Sequence, residues 1–331
     1  MKRIAFLLVV VLSGCPNDPP VHPEDWQVVV EHLDGSILSF WGDSTSEIFA
    51  VGGPVTSPGQ AFILRYDGTQ WEHMPLDAPT LWWVQGFASD DVWAVGERGI
   101  IVHFDGSEWT VVVDDDVDYT LWGVWGASPN DIWTVGGTAA GGAPSVVRHY
   151  DGSTWQDVPD IGMDGELLFK VWGLAEDDVW IVGTGGATLH YDGDTWTRLT
   201  PVTDERLLTV RGRATDDIYA VGGVIRAVVL HYDGSVWSEV PVDALGGLMG
   251  VWSAPDQPTV ISGHNGVVLV EDGGGFYQVD TGTFNDLHAA WGDGDGSFLA
   301  GGGILFPSPT PDGVITGLGE VQGGAIPEWM P

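Results

Sequence analysis

Apolar residues recur along this chain with a period far longer than that of a helix or a strand. A leading apolar residue is followed by a short segment resembling Val-Trp-Gly, and the pattern occurs seven times at intervals of about 40 residues. The seven leading residues are Ile37, Leu81, Leu121, Leu168, Leu207, Leu248 and Leu287. The chain is therefore predicted to contain seven copies of one structural unit.

Each unit contains four short stretches rich in β-branched and aromatic residues, which predict strands A to D. Strand A is the Leu-x-x-Val-Trp-Gly segment, and strand B opens at an acid in five units: Glu47, Asp91, Asp131, Asp178 and Asp217. Strand C ends in an aromatic residue followed by Asp-Gly, and a tryptophan soon afterwards begins strand D. The aspartates of these pairs are Asp67, Asp105, Asp151, Asp192 and Asp233. Asp-Gly between apolar strands favours a type I′ hairpin turn, in which both central residues have positive φ.

Four antiparallel strands in about 40 residues form one blade of a β-propeller. One blade cannot bury both of its faces, so the blades must stack radially, and closing the ring removes the exposed edge. The seventh unit lacks a strand D after residues 313–315, whereas residues 26–30 form a spare strand before the first unit. We therefore predict an all-β, seven-bladed propeller over residues 26–320, closed by its N-terminal strand, and a tail over 321–331.

Composition narrows the class of partner. The chain has 11 basic and 47 acidic residues and a net charge of -36, which argues against binding to nucleic acid. Hydrophobic residues make up 44% of the chain, with 49 glycines and 18 tryptophans, so a folded β protein is favoured over an acidic disordered chain. Proteins, peptides, neutral glycans and Ca²⁺ remain open as partners.

The N-terminus has the pattern of an export signal. Lys2 and Arg3 precede an apolar run and two small residues, which lead to the single cysteine, Cys15. The segment 12–15, Leu-Ser-Gly-Cys, resembles the lipobox of bacterial lipoproteins, and this resemblance implies cleavage before Cys15 and lipidation of its thiol. Residues 1–14 are then a signal peptide and 15–25 a proline-rich tether to the cell envelope. In the enteric lipoproteins that this segment resembles, an Asp after the cysteine implies retention in the inner membrane. Pro16 takes that place here, so the outer membrane is expected. An ordinary signal peptide with a chance cysteine is the alternative.

The repeats also resemble those of known propellers. Glycine doublets after valine resemble kelch repeats: Val51-Gly52-Gly53, Val135-Gly136-Gly137 and Val221-Gly222-Gly223. The Asp-Gly-x-x-Trp turns resemble the Asp-box of BNR propellers, and the whole pattern is similar to YVTN-like propellers of surface lipoproteins. The resemblance implies the fold, but a fold does not define an activity.

Most of the residues that invite a functional interpretation occupy repeat positions. The tryptophans are explained better by packing between blades than by glycan binding. Four histidines precede the strand-C aromatic residues, and equivalent blade positions point to separate places around the ring, which disfavours a shared metal site. They are His103, His149, His190 and His231. An acidic run offers oxygen ligands for Ca²⁺, with a solvated charge cluster as the alternative: Asp114, Asp115, Asp116 and Asp118.

Loop lengths vary on only one face of the predicted ring. The B–C and D–A loops share that face and are irregular, whereas the A–B turns are nearly constant. Because irregular loops on a rigid scaffold usually carry function, the binding surface is predicted there. Trp83, Lys170 and Arg226 lie on that face and break the repeat, so they are candidate ligand contacts. Gln85 and Arg211 replace the strand-A tryptophan and predict local repacking.

The leading hypothesis is a non-catalytic, surface-tethered propeller that binds a protein, peptide or glycan through the irregular face. No motif of nucleophilic or metal-dependent catalysis was recognised, and no cofactor is expected apart from the possible Ca²⁺. A carbohydrate-active hydrolase or lyase is the first alternative, and it would place a buried acid pair with one raised pKa at the mouth of the central channel. An envelope assembly factor is the second.

Overall fold

The computed structural model describes residues 26–54, 60–138, 145–159, 161–163, 165–304 and 312–321. Within these ranges, 28 strands form seven four-stranded antiparallel sheets. The strands are β1 (Gln27–Leu33), β2 (Gly35–Ser44), β3 (Glu47–Pro54), β4 (Phe62–Tyr66), β5 (Trp71–His73), β6 (Leu81–Ala88), β7 (Asp91–Gly96), β8 (Ile101–Phe104), β9 (Trp109–Val113), β10 (Thr120–Ser128), β11 (Asp131–Gly137), β12 (Val146–Tyr150), β13 (Trp155–Asp157), β14 (Leu168–Ala175), β15 (Asp178–Gly183), β16 (Thr188–Tyr191), β17 (Trp196–Arg198), β18 (Leu207–Ala214), β19 (Asp217–Gly222), β20 (Val228–Tyr232), β21 (Trp237–Glu239), β22 (Leu248–Trp252), β23 (Val260–Gly263), β24 (Val268–Glu271), β25 (Phe276–Val279), β26 (Leu287–Gly292), β27 (Phe298–Gly302) and β28 (Gly313–Leu318).

Six blades use four consecutive strands, from β2–β5 to β22–β25, and the seventh has the order β26-β27-β28-β1. The N-terminal strand β1 is the outermost strand of this last blade, where Gln27 pairs with Gly317 and Leu33 with Gly313. Trp26 adds a hydrogen bond, since its Nε1 donates to Thr316 Oγ1 over 2.9 Å. The predicted seven-bladed fold and its closure by the N-terminal strand are therefore confirmed.

The predicted signal peptide and tether, residues 1–25, lie outside the described residues, as does the tail beyond residue 321. The signal peptide, the tether and the C-terminal tail therefore remain predictions. In the part of the chain that the structure covers, no helix is long and apolar enough to cross a membrane.

Packing between blades explains why a glycine follows the strand-A tryptophan. A Cβ added to Gly86 would lie 2.6 Å from the ring of Trp41 in the preceding blade, and one added to Gly173 would lie 2.7 Å from Trp125. The tryptophan of one blade therefore rests on the glycine of the next, which supports the packing interpretation of these aromatic residues.

Local repacking accompanies the two exceptions to the strand-A tryptophan. In the second blade Gln85 takes its place, and Phe87 instead reaches the glycine of the third blade, where a Cβ on Gly126 would meet its ring at 2.6 Å. In the fifth blade Arg211 donates from Nε to the carbonyl oxygen of Ser253 over 3.2 Å. The repacking that the sequence predicted at both positions is present.

The Asp-Gly hairpins differ from the predicted type I′ turn. Tyr66 pairs with Trp71, so the connection contains four residues, and Gly68 has a φ of +87° whereas Asp67 is not among the residues of positive φ. The Asp67 carboxylate accepts hydrogen bonds from the backbone N–H groups of Thr69 and Gln70 at 2.8 and 2.9 Å. The type I′ assignment was wrong because the aspartate side chain caps the turn itself, and only the glycine then needs a left-handed backbone.

Candidate functional site at the mouth of the central channel

The seven innermost strands each contain a β-bulge at the same point. Strand pairing with the neighbouring strand skips one residue directly after each leading apolar residue. The seven skipped residues are Leu38, Trp82, Trp122, Phe169, Leu208, Met249 and His288. All seven line one cavity of about 260 Å³ at the channel mouth. A bulge leaves one residue without a partner in the neighbouring strand and changes the direction of its side chain. The repeat therefore places one side chain per blade at the same opening.

A glycine in each neighbouring strand makes the bulge possible. A Cβ on Gly96 would lie 2.1 Å from the backbone oxygen of Thr80, and one on Gly183 would lie 2.2 Å from that of Leu167. In all seven blades the residue of the second strand that pairs with the leading apolar residue is a glycine: Gly52, Gly96, Gly136, Gly183, Gly222, Gly263 and Gly302. The bulged residues were not predicted from the sequence, and this repeated glycine opposite the leading apolar residue is the signal that could have identified them.

Aromatic rings from three successive blades form one wall of the cavity. The ring centroids of Trp82 and Trp122 are 4.4 Å apart with a 61° interplanar angle, and those of Trp122 and Phe169 are 6.0 Å apart at 69°. Leu208 and Met249 lie among the lining residues contributed by the next two blades. The opening is therefore largely apolar and well suited to a flat or branched apolar group.

Lys170 is the most unusual residue of the cavity. Its side chain is buried, its Nζ donates to the carbonyl oxygen of Trp122 over 2.9 Å, and the same nitrogen lies 3.3 Å from the centre of the Trp83 ring. Gly123 leaves room for this arrangement, because a Cβ there would lie 3.0 Å from the Lys170 Cα. Burial lowers the pKa of Lys170 well below its ordinary value, since the charged form has lost its water.

The remaining ionisable residues of the cavity are also basic. Arg206 lines it, and so does His288, whose Nε2 donates to the carbonyl oxygen of Gly303 over 3.0 Å. Burial lowers the pKa of His288 to about 4, so the ring is neutral at pH 7. None of the described lining residues is Asp or Glu. Glu97, a carboxyl group whose pKa burial raises, lies outside this cavity, so the acid pair expected of a hydrolase is not found among those residues.

The structure separates the three candidate ligand contacts that the sequence suggested. Trp83 and Lys170 both line the cavity and touch each other. Arg226 lies on the same face but outside the cavity, where it forms ion pairs with Glu239 and, at 3.8 Å, with Glu205. Two of the three therefore lie in one site, and their role in binding remains a prediction.

The acidic run considered for Ca²⁺ is divided among arginines. Asp115 pairs with Arg148 at 2.9 Å, and Asp116 pairs with Arg98. Over the described ranges, no group of three or more His, Cys, Asp or Glu side chains is arranged to hold a metal ion. Two of the four carboxylates of this run therefore take part in ion pairs, one with Arg148 of β12 and one with Arg98 of the loop before β8.

The four repeat histidines lie on separate blades, each beside the acid that opens strand B. His190 Nε2 is 2.8 Å from Asp178 Oδ1, and the same oxygen accepts from Trp180 Nε1 over 2.8 Å. The imidazole also stacks on the indole ring of Trp180, with centroids 4.2 Å apart. Equivalent His–Asp pairs occur at His103, His149 and His231. These groups stabilise individual blades on the face opposite the cavity.

Large exposed apolar side chains accompany the cavity on the irregular face. Ile225, Leu245 and Phe284 are 88%, 83% and 90% exposed and belong to loops of the fifth, sixth and seventh blades. An isolated bridge between Arg226 and Leu245 brings two of these loops together. The loop face therefore presents exposed apolar side chains that are available to a partner.

The chain is thus a seven-bladed β-propeller with an apolar, cation-bearing cavity at one mouth of its channel. No family model and no curated protein matches it. Its fold is similar to that of YCF48 solved bound to D1 peptide, with 16% identity, a TM-score of 0.64 and coverage of 91% of this chain and 98% of the other. YCF48 from Cyanidioschyzon merolae has 14% identity and a TM-score of 0.63, and the match covers 89% of this chain and 98% of the other. The WD40 propeller domain of Doa1 has 10% identity and a TM-score of 0.66, and the match covers 89% of this chain and 96% of the other. At such identities the likeness shows the fold alone.

Proposed function

We propose that this chain binds a segment of a partner protein or peptide through the face that carries the B–C and D–A loops. One apolar side chain of the partner enters the channel-mouth cavity. The observation that carries the proposal is the ring of bulged residues, because all seven blades aim a side chain at the same opening. A built, repeated convergence of this kind is typical of a binding site rather than of neutral packing.

The size and lining of the cavity favour a side chain over a larger ligand. Its volume of about 260 Å³ lies below the range of about 300–1,000 Å³ that is usual for small-molecule pockets. The aromatic wall would hold an apolar anchor, and aromatic anchors in pockets dominate many protein interfaces. Ile225, Leu245 and Phe284 add exposed apolar side chains on the same face. The similarity to YCF48, solved with a bound peptide, supports the same class of ligand here.

A peptide-display selection against residues 24–331 tests this proposal. Selected peptides are then measured against Leu208→Trp, which fills the cavity, and against Val236→Trp, a matched change at an exposed turn on the opposite face. We expect the first variant to weaken binding about tenfold or more, a loss of about 1.4 kcal/mol, and the second to leave it unchanged. Equal binding by both variants, or enrichment of glycans and not peptides in a parallel screen, would contradict the proposal.

We also propose that a lipid on Cys15 holds the propeller at the cell envelope. The support is the order of the N-terminal residues, in which the single cysteine follows a basic start, an apolar run and two small residues. Expression in a bacterial host with a labelled fatty acid should give a labelled protein in the membrane fraction, and Cys15→Ala should abolish the label. A labelled Cys15→Ala variant, or an unlabelled natural chain, would contradict this anchor.

A further inference from the structure

The channel-mouth cavity has the opposite charge character from the chain as a whole. The sequence contains 47 acidic and 11 basic residues, yet the ionisable groups lining the described cavity are Lys170, Arg206 and His288. Because none of these groups carries negative charge, the opening opposes an anion less than the acidic surface around it does. The surrounding negative charge would at the same time disfavour anions elsewhere on the surface.

Among the described residues, Lys170 has no carboxylate partner. Its hydrogen bond is to a carbonyl oxygen and its second contact is the face of Trp83, and desolvation is the cause of its lowered pKa. Burying a cation is costly unless a counter-charge accompanies it. A buried lysine that lines the cavity and has no carboxylate beside it among the described residues indicates a site that is completed by an anion from outside.

We propose that the channel-mouth cavity binds a carboxylate carried on an apolar group, and that this carboxylate is the counter-ion of Lys170. The inference rests on the proposed function in taking the same cavity as the binding site, and it names the group that enters. The aromatic wall of Trp82, Trp122 and Phe169 holds the apolar part. An ammonium group has three donors, so Nζ can keep its bond to the Trp122 carbonyl oxygen and still donate to the ligand.

Proton uptake on binding follows from this arrangement. A carboxylate beside Lys170 favours the ammonium form, which burial alone disfavours, so its pKa rises when the ligand binds. His288, with a pKa of about 4, stays neutral at the pH values at which binding is measured. Affinity should therefore fall as the pH rises through the alkaline range, and a proton should be taken up from the buffer.

Two sources could supply the group: the C-terminal residue of a peptide, or a free aliphatic or aromatic acid. The experiment compares phenylacetate with phenylacetamide, and a selected peptide ending in Phe with its C-terminal amide, by calorimetry in two buffers of different ionisation enthalpy. The variants are Lys170→Met, which keeps the length and removes the charge, and Arg65→Met, the same loss of charge on the opposite face, where Arg65 pairs with Glu47. We expect each acid to bind about tenfold or more tightly than its amide to the natural chain and to Arg65→Met.

In Lys170→Met the preference for the acid and the proton uptake should both disappear. Binding of the free-acid peptide alone, or of phenylacetate alone, identifies the source and supports the carboxylate in either case. Equal binding of acids and amides, or a preference that survives in Lys170→Met, overturns the inference. If amidated peptides bind as well as acids and Leu208→Trp abolishes both, the proposed function stands and the carboxylate falls. If phenylacetate binds and peptides do not, the carboxylate inference stands and the proposed binding of peptides falls.

Discussion

At the scale of single residues, Lys170 illustrates a conflict between stability and function. Its buried amino group contacts one carbonyl oxygen and one aromatic face, and none of the described residues places a carboxylate beside it. Such a position weakens the folded state as long as no ligand is bound. Polar residues that cost stability and serve no packing purpose are often those that bind.

Lys170→Met should therefore stabilise the ligand-free protein at pH 7, by about 1–3 kcal/mol. The pKa of Lys170 is lower in the folded chain than in the unfolded one, so between these two pKa values the unfolded state binds more protons than the folded state. The free energy of unfolding of the natural chain therefore rises with pH over that interval. The advantage of the methionine variant should thus shrink toward pH 10. Urea unfolding at pH 7, 8.5 and 10 measures the difference, with Arg226→Met as control. An unchanged or negative difference at pH 7 would show that the buried lysine is not costly.

Asp178 is a second residue whose effect can be isolated. Its Oδ1 atom accepts from both Trp180 and His190, and Asp178→Ala would leave the indole N–H buried without its partner. We expect a loss of about 1–3 kcal/mol in the free energy of unfolding. The adjacent exposed residue gives the control, because Asp177→Ala should change stability by less than about 0.5 kcal/mol. Similar losses for both variants in urea would contradict the structural role of this group.

At the scale of elements, the innermost strand of each blade does two things with one sequence. Its leading apolar residue is buried within the sheets, and the residue after it is bulged into the channel. The glycine of the neighbouring strand permits both, since any side chain there would collide with the backbone at the bulge. Two consecutive residues of each repeat therefore supply one core side chain and one side chain that lines the cavity.

Gly183→Ala tests this element. The added Cβ would lie 2.2 Å from the Leu167 carbonyl oxygen, so the bulge in the fourth blade must shift. We expect a loss of about 1–3 kcal/mol and weaker ligand binding, because Phe169 and Lys170 sit on that bulge. Gly274→Ala is the matched control, since its Cβ would meet only a side-chain oxygen at an ordinary 3.4 Å. Unfolding in urea and peptide affinity are measured for both, and equal small effects would refute the role of the glycine.

The sequence predicts the elements well and the site only in part, for a physical reason. Strands and turns follow from local residue types, so the four strands of each unit and the spare strand at Trp26 could be read directly. The bulges depend on the register between two strands, which one strand does not reveal. The Asp67 turn was wrong for a similar reason, because its geometry depends on where the aspartate side chain bonds.

At the scale of the whole molecule, the ring brings together residues that are about 40 positions apart and share no local signal. Trp83 and Lys170 were singled out because they break the repeat, and they do meet in the cavity. Met249 and Leu208 fit the repeat as ordinary apolar residues, so their convergence could not be predicted without the closed ring. The binding face was predictable from loop lengths, whereas the cavity is a property of closure.

Closure itself rests on an interlock between the chain ends, because β1 and β28 belong to one sheet. Two circular permutants isolate this effect, both joining Val321 to Trp26 through the same short linker. One begins at Ala244, in the loop between the fifth and sixth blades, so that every blade is continuous and no strand joins the ends. The other begins at Val236, in the turn between β20 and β21, so that the first strand again completes the last blade.

The permutant that begins at Val236 should unfold in one transition with a urea midpoint close to that of the natural chain. The one that begins at Ala244 should unfold at a lower urea concentration, because only contacts between blade faces close its ring. Its free energy of unfolding should also depend less steeply on urea concentration if the blades at the open seam separate first. The two cuts flank β21, the outermost strand of the fifth blade, so local damage is comparable, and the cut at Val236 also disrupts a turn capped by Asp233. Equal midpoints would mean that stacking alone closes the ring and that the shared sheet adds nothing to it.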